Sequence, residues 1–221
     1  MKLVLLHSPL VGPATWSAAA PLLQARGHDV AVPDLAPIMA EDGPYYPALA
    51  EAAAAAITDP VVLVAHSGAG ALVPAIAALE AVKAVVFVDA LLPHPGESWF
   101  GGVPEQLGAR LKGLAKAGRL PPWHAWWPKG AMERLLPDRD TGATFLSEQN
   151  ELPLAYFEES APDIPLTVPS AYLRLSEAYD ADCDAAESAE WPVLRLNLHH
   201  LAMLTHPQPV ADAILLLASQ F

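Results

Sequence analysis

The stretch Val61-Val-Leu-Val-Ala-His-Ser-Gly-Ala-Gly70 decides how the rest of the chain is read. Four consecutive apolar residues, three of them β-branched valines, form a short run without polar alternation. Such a run suits a parallel strand covered on both faces. Directly after it come a serine and a cluster of small residues, and then a helical stretch from about Ala69 to Glu80. A serine between strand and helix, flanked by small residues, sits on a sharp turn with its hydroxyl exposed at the sheet's carboxyl edge. The usual pattern is Gly-x-Ser-x-Gly. Here it is Ala65-His66-Ser67-Gly68-Ala69, with both outer glycines replaced by alanine.

Outward from this segment the same alternation recurs, which predicts an α/β fold with a mostly parallel sheet and helices on both faces. Upstream, strands are expected at Leu3–Leu6 and Val30–Val32, with helices over Trp16–Arg26 and about Pro47–Ile57. Downstream, strands are expected at Ala84–Val88, Ala171–Leu175 and Val193–Leu196. A final helix is expected from about Thr205, where Thr205 and Gln208 have capping-box spacing, to about Ser219. Between roughly 91 and 169 the alternation disappears, prolines recur, and Trp99, Trp123, Trp126 and Trp127 accumulate. A segment this long carries short helices of its own, and it reads as a lid lying over the sheet. Its tryptophans and Tyr156-Phe157 either shape an apolar pocket or fasten the lid down. Glu158 and Glu159 are expected to be solvated, and Arg174 to pair with an acid or to extend toward solvent.

The serine's partners must come from loops at the same sheet edge. Leu198-His-His-Leu-Ala-Met-Leu-Thr-His-Pro207 follows the last strand and offers three competing candidates for the general base, His199, His200 and His206. His199 reads as structural or pocket-lining, His206 as a surface residue of the last helix's cap, and His66 as packing. The acid is left open. Asp180, in the loop after the strand Tyr172–Leu175, is the first choice; Glu177 in the same loop and Asp89 at the end of Ala84–Val88 are the alternatives. Asp182 and Asp184 read as surface residues.

Composition narrows the partners. The 221 residues fit a single domain spanning 1–221, and a formal net charge of −13 with no Lys/Arg cluster disfavours nucleic acid. No stretch reaches the length of a membrane span. The apolar run after Met1 ends at His7, too early for a signal's core. Cys183 is the single cysteine, so no internal disulfide forms. The expectation is a cytoplasmic protein acting on a small-molecule substrate, with no cofactor and no metal; the oligomeric state is left open.

Taken together, the chain resembles the α/β-hydrolase superfamily over nearly its whole length. It is most similar to the subgroup of plant methyl esterases and hydroxynitrile lyases of that fold. Leu5-Leu-His-Ser-Pro-Leu-Val-Gly-Pro-Ala-Thr-Trp16 has the subgroup's His-Gly-x-x-x-Gly-x-x-x-Trp spacing, and His200 opens its His-x-x-Met-Leu-x-x-Pro segment. The resemblance implies Ser67 as nucleophile, His200 as base, Asp180 as acid, and an oxyanion hole from Gly68 and the loop after His7. That loop departs from the pattern, because Ser8 replaces a glycine and Pro9 lacks the N–H that would bind the oxyanion. Leu10 N–H or the Ser8 hydroxyl must then serve. The expected activity is a carboxylesterase-like serine hydrolase acting on a small apolar ester or related carbonyl compound through an acyl-enzyme. The alternatives are a lyase using Ser67 and His200 for proton transfer, with Ser8 in the oxyanion loop, and a non-enzymatic receptor.

Overall fold

The computed structural model describes residues 1–221, except for the side chain of residue 133. Its central sheet uses the runs that the sequence marks as continuously apolar. The strands are β1 (Lys2–Leu6), β2 (Asp29–Ala31), β3 (Val61–His66) and β4 (Val82–Val88). A two-stranded antiparallel pair follows, β5 (Arg119–Leu120) and β6 (Leu152–Pro153), and the central sheet resumes with β7 (Ser170–Arg174) and β8 (Val193–Arg195). Strand order in the central sheet is β2-β1-β3-β4-β7-β8, every neighbour parallel. This is the mostly parallel α/β architecture expected of the sequence.

Side chains alternate across the sheet, so each strand feeds two cores. Val4, Leu6, Leu63, Phe87 and Tyr172 pack on one face with α2 (Tyr45–Ala54) and α3 (Val73–Leu79). Leu3, Leu5, Val64, Val86 and Leu173 pack on the other with α1 (Ala19–Ala25) and the last helix. Burial on both faces is the reason the strands lack polar alternation.

Residues between β4 and β7 cover the carboxyl edge of the sheet with short helices: α4 (Trp99–Gly102), α5 (Glu105–Leu114), α6 (Arg139–Ser147) and α7 (Leu154–Glu158). An aromatic cluster joins them, with Trp99 against Trp126 and Phe157 at ring separations of 6.5 and 5.2 Å. A third apolar cluster sets Phe145 and Met132 against Val11, Ala14, Leu201 and Leu204, fastening the insertion to the loops after β1 and β8. Glu159, expected in solvent, instead accepts the backbone N–H groups of Tyr45 and Tyr46 at 2.7 and 2.9 Å. It thereby satisfies orphan donors in the first turn of α2.

After β7 come α8 (Asp180–Ser188), α9 (Ala202–Thr205) and α10 (Pro207–Ala218). The capping box expected at Thr205 and Gln208 does not form. Pro207 occupies the first helical position, His206 is the cap, and the Thr205 hydroxyl bonds His199 Nε2 and His206 Nδ1, each at 2.8 Å. No described helix is long and apolar enough to cross a membrane.

Candidate active site

Four loops at the carboxyl ends of β1, β3, β4 and β7 converge with the loop after β8 on one point. Ser67 follows β3 directly, at φ 57°, and begins a helical turn over Ser67–Leu72. A positive φ is costly for a residue with a Cβ, so a serine held there marks a turn imposed by its surroundings. Gly70 shows what imposes it: a Cβ on Gly70 would overlap the carbonyl oxygen of Leu91. Leu91 N–H in turn donates to the Ser67 carbonyl at 3.1 Å. Only a glycine lets the turn seat this closely on the segment after β4.

Asp89, the first residue after β4, is the second strained position, at φ 45°. It is fully buried, and its carboxylate is saturated with donors. Oδ1 accepts Leu175 N–H and Ser176 N–H at 2.7 and 2.9 Å, while Oδ2 accepts the Ser176 hydroxyl at 2.6 Å and pairs with His200 Nδ1 at 2.8 Å. Burial alone would raise this carboxyl. The hydrogen bond and charge of His200, with the bonds from Ser176, outweigh it and hold Asp89 below its usual 3.8. The Tyr172 hydroxyl braces the turn, donating to the Ala90 carbonyl at 2.6 Å and accepting Ala90 N–H at 3.0 Å.

The carboxylate that meets the histidine is therefore Asp89 and not Asp180. Asp180 is half-exposed, and Arg174 Nε holds it at 2.6 Å; Glu177 is exposed on the same turn. The physical reason is position. Asp89 emerges beneath the imidazole from the strand adjacent to β3, whereas Asp180 opens α8 and faces the guanidinium. A signal for Asp89 was present in the sequence: it is the one charged residue in Ala84-Val-Val-Phe-Val-Asp-Ala-Leu-Leu92. Asp180 belongs to an acid-rich run, as suits a helix's first turn. Asp182 also departs from expectation, because it is partly buried and accepts Leu92 N–H at 2.9 Å.

Two other histidines build the scaffold. His66 Nε2 donates to the His200 carbonyl at 3.0 Å, with the two rings 4.5 Å apart. Burial, then the neighbouring charge of His200, keeps His66 well below its ordinary 6.5 and hence neutral. His7 Nδ1 donates to the Ser8 carbonyl at 2.8 Å, and its Nε2 accepts Leu35 N–H at 3.0 Å, shaping the loop after β1. In that loop the Ser8 hydroxyl accepts Leu10 N–H at 3.3 Å. It stands beside Gly68, where an added Cβ would lie 3.0 Å from it. Pro9 offers no donor, and Leu10 N–H points at Ser8.

A residue that sequence reading passed over completes the group. Tyr179 stacks on His200, the ring centres 4.9 Å apart and the planes 6° from parallel, and its hydroxyl is 3.3 Å from Ser67 Oγ. Above these groups is a cavity of about 520 Å3, walled largely by Trp99, Trp123, Trp126, Met132 and Leu111. His199 also reaches it, the second of the two roles open to it in the sequence.

A serine on a strained strand-to-helix turn, a histidine joined to a buried carboxylate, and a concave space with largely apolar walls meet at the carboxyl edge of one parallel α/β sheet. The family follows. The sequence matches the model of the Alpha/beta hydrolase family over residues 3–213, and the chain belongs to that family. Among solved structures, it is similar to an extracellular α/β-hydrolase from a Paenibacillus species, described as sharing structural and functional homology with tobacco salicylic acid binding protein 2. That likeness has TM-score 0.74 and 16% identity, and covers 98% of each chain. Tomato methylketone synthase I, complexed with 2-tridecanone, gives TM-score 0.73 at 18% identity over 100% of this chain and 98% of that one. A pyrethroid hydrolase from Sphingobium faniae JZ-2 gives 0.70 at 20% identity over 99% and 97%. At these identities the likeness is one of fold. No curated protein matches the sequence.

Proposed function

We propose that the chain is a carboxylesterase-like serine hydrolase acting on an apolar ester or related carbonyl compound, with Ser67 as nucleophile, His200 as base and Asp89 as acid. The observation that carries this reading is the 2.8 Å contact between the buried Asp89 carboxylate and His200 Nδ1. It leaves Nε2 unprotonated to take the Ser67 proton while the acid stabilises the imidazolium that forms. Ser67 Oγ attacks the carbonyl carbon, and the leaving alcohol receives the proton from His200. Water then releases the acyl group by the same path reversed. Gly68 N–H, in a helical first turn where such groups lack partners, is one oxyanion donor. The Ser8 hydroxyl is the other. It accepts Leu10 N–H, so its own proton is available.

The aromatic wall of the cavity favours a bulky apolar substrate. Proteins of the same fold named for pyrethroid hydrolysis or complexed with 2-tridecanone are consistent with that preference. The test is hydrolysis of p-nitrophenyl esters from acetate to octanoate, beside Ser67→Ala. Nitrophenolate release that vanishes in the variant is expected, with an optimum among the longer chains. A Ser67 that a serine-directed phosphonate does not label sinks the proposal.

Ser8 at the oxyanion position also supports a second reading, a lyase in which Ser67 and His200 move a proton without forming an acyl-enzyme. In that case Ser8→Gly abolishes the natural reaction and no acyl-enzyme accumulates in a burst experiment.

A further inference from the structure

Tyr179 touches the reacting oxygen of the proposed mechanism but has no role in it so far. Its place follows from the acid's. Because Asp89 supplies the carboxylate from β4, the loop after β7 does not have to, and its residues are free for other work. Asp89 still organises that loop, since Oδ1 binds Leu175 N–H and Ser176 N–H and Oδ2 binds the Ser176 hydroxyl. The turn Glu177–Tyr179 starts immediately afterwards. One buried carboxylate thus positions both the imidazole of His200 and the phenol of Tyr179, and the parallel rings, 4.9 Å apart, lock the two together.

The stacking fixes the side on which the phenol acts. The Tyr179 hydroxyl reaches Ser67 Oγ from the imidazole side, 3.3 Å away. The Gly68 and Ser8 donors lie together on the loop after β1 and the turn after β3. In a tetrahedral adduct the carbonyl oxygen points to the Gly68 side, and the leaving oxygen points to the histidine that will protonate it.

We infer that Tyr179 is a catalytic hydrogen-bond donor on the leaving-group side, bonded to Ser67 Oγ at rest and to the leaving oxygen in the tetrahedral intermediate. This rests on the reading of Ser67 and His200 given above. The phenol transfers no proton: Ser67 loses its proton to His200, His200 passes it to the leaving oxygen as the carbon–oxygen bond breaks, and Tyr179 O–H only donates to the charge that builds there. Desolvation among the packed groups of the site pushes the Tyr179 phenol up, so it stays protonated throughout the working range.

The consequence is a dependence on the leaving group. Nitrophenolate leaves without help, whereas an ethoxide needs its charge met as the bond breaks. The experiment compares kcat/KM for the p-nitrophenyl, trifluoroethyl and ethyl esters of one acid in the wild type and Tyr179→Phe. Phenylalanine keeps the ring against His200 and removes only the hydroxyl. The p-nitrophenyl ester should be nearly unaffected and the ethyl ester slowed about tenfold, the worth of one neutral hydrogen bond. The plot of log(kcat/KM) against leaving-group pKa should therefore steepen. Each comparison is a ratio within one variant, so partial loss of folded protein cancels from it.

An equal loss on all three esters, or no loss on any, overturns the assignment. Failure of the underlying reading looks different: Ser67→Ala would then hydrolyse the same esters as well as the wild type.

Discussion

Replacing Asp89 by asparagine separates the two halves of its role. The two backbone N–H groups at Oδ1, from Leu175 and Ser176, require an oxygen there, so the new amide nitrogen must take the place of Oδ2. It then faces His200 Nδ1 as a donor where a carboxylate had accepted at 2.8 Å. His200 must accept at Nδ1 and carry its proton on Nε2, which leaves no lone pair for Ser67. Wrong-tautomer histidine costs a serine hydrolase about 10⁴ in kcat.

Stability should suffer far less. Asparagine tolerates the left-handed backbone at φ 45°, the two backbone hydrogen bonds survive, the two at the Oδ2 position lose their charge and reverse direction, and the net loss is about 1–3 kcal/mol. Asp180→Asn is the control, since it removes an ion pair whose acid side chain is 50% exposed. Its Arg174 partner is buried and keeps its bond to Asn197 Oδ1, so the loss is about 1–3 kcal/mol, and kcat should not change. The assay is steady-state hydrolysis of a p-nitrophenyl ester, with urea unfolding run in parallel. A kcat that collapses in Asp180→Asn and survives in Asp89→Asn would refute the assignment of the acid.

Ser8→Ala should lower kcat about a hundredfold if its hydroxyl is the second oxyanion donor; an unchanged kcat would transfer that role to Leu10 N–H, which the substitution releases. Gly70→Ala drives a Cβ into the Leu91 carbonyl, and urea unfolding should report a loss of about 1–3 kcal/mol together with slower phosphonate labelling of Ser67. Stability should fall as pH drops below about 6.5. Burial depresses both His7 and His66 from that value, so the unfolded chain takes up protons that the fold refuses. The sign is that of groups stabilising above their unfolded pKa and losing that contribution on acidification. Urea midpoints from pH 8 to 5 would check it, and a flat profile would count against neutral roles for both histidines.

Much of this protein is legible along the chain. A parallel strand buried on both faces must be apolar at every position, and β1, β3 and β4 announce themselves for that reason. The serine is legible too, because a strand ending at small residues before a helix leaves few conformations open to residue 67. Distance past the last strand offers His199, His200 and His206, and the resemblance of His200 to the opening of a His-x-x-Met-Leu-x-x-Pro segment singles it out. These are local properties, written within ten residues of the atom concerned.

The partners of those residues are a different matter. Asp180 and Asp89 are 91 positions apart in sequence order, and both follow strands of one sheet; the choice between them depended on which carboxylate lies under the imidazole and which lies beside Arg174. The Thr205 hydroxyl was drawn to two histidines in preference to the helix cap its spacing suggested. Tyr179 and Glu159 make contacts more than 110 residues away, to Ser67 at a separation of 112 positions and to Tyr45 at 114. Hydrogen-bond partners at such separations carry no periodicity and no spacing rule. Backbone pattern and chain order determined the sheet and the serine's place on it. Which carboxylate meets His200, which hydroxyl stands beside Gly68 and which phenol reaches Ser67 was decided only when the sheet brought the ends of its strands together.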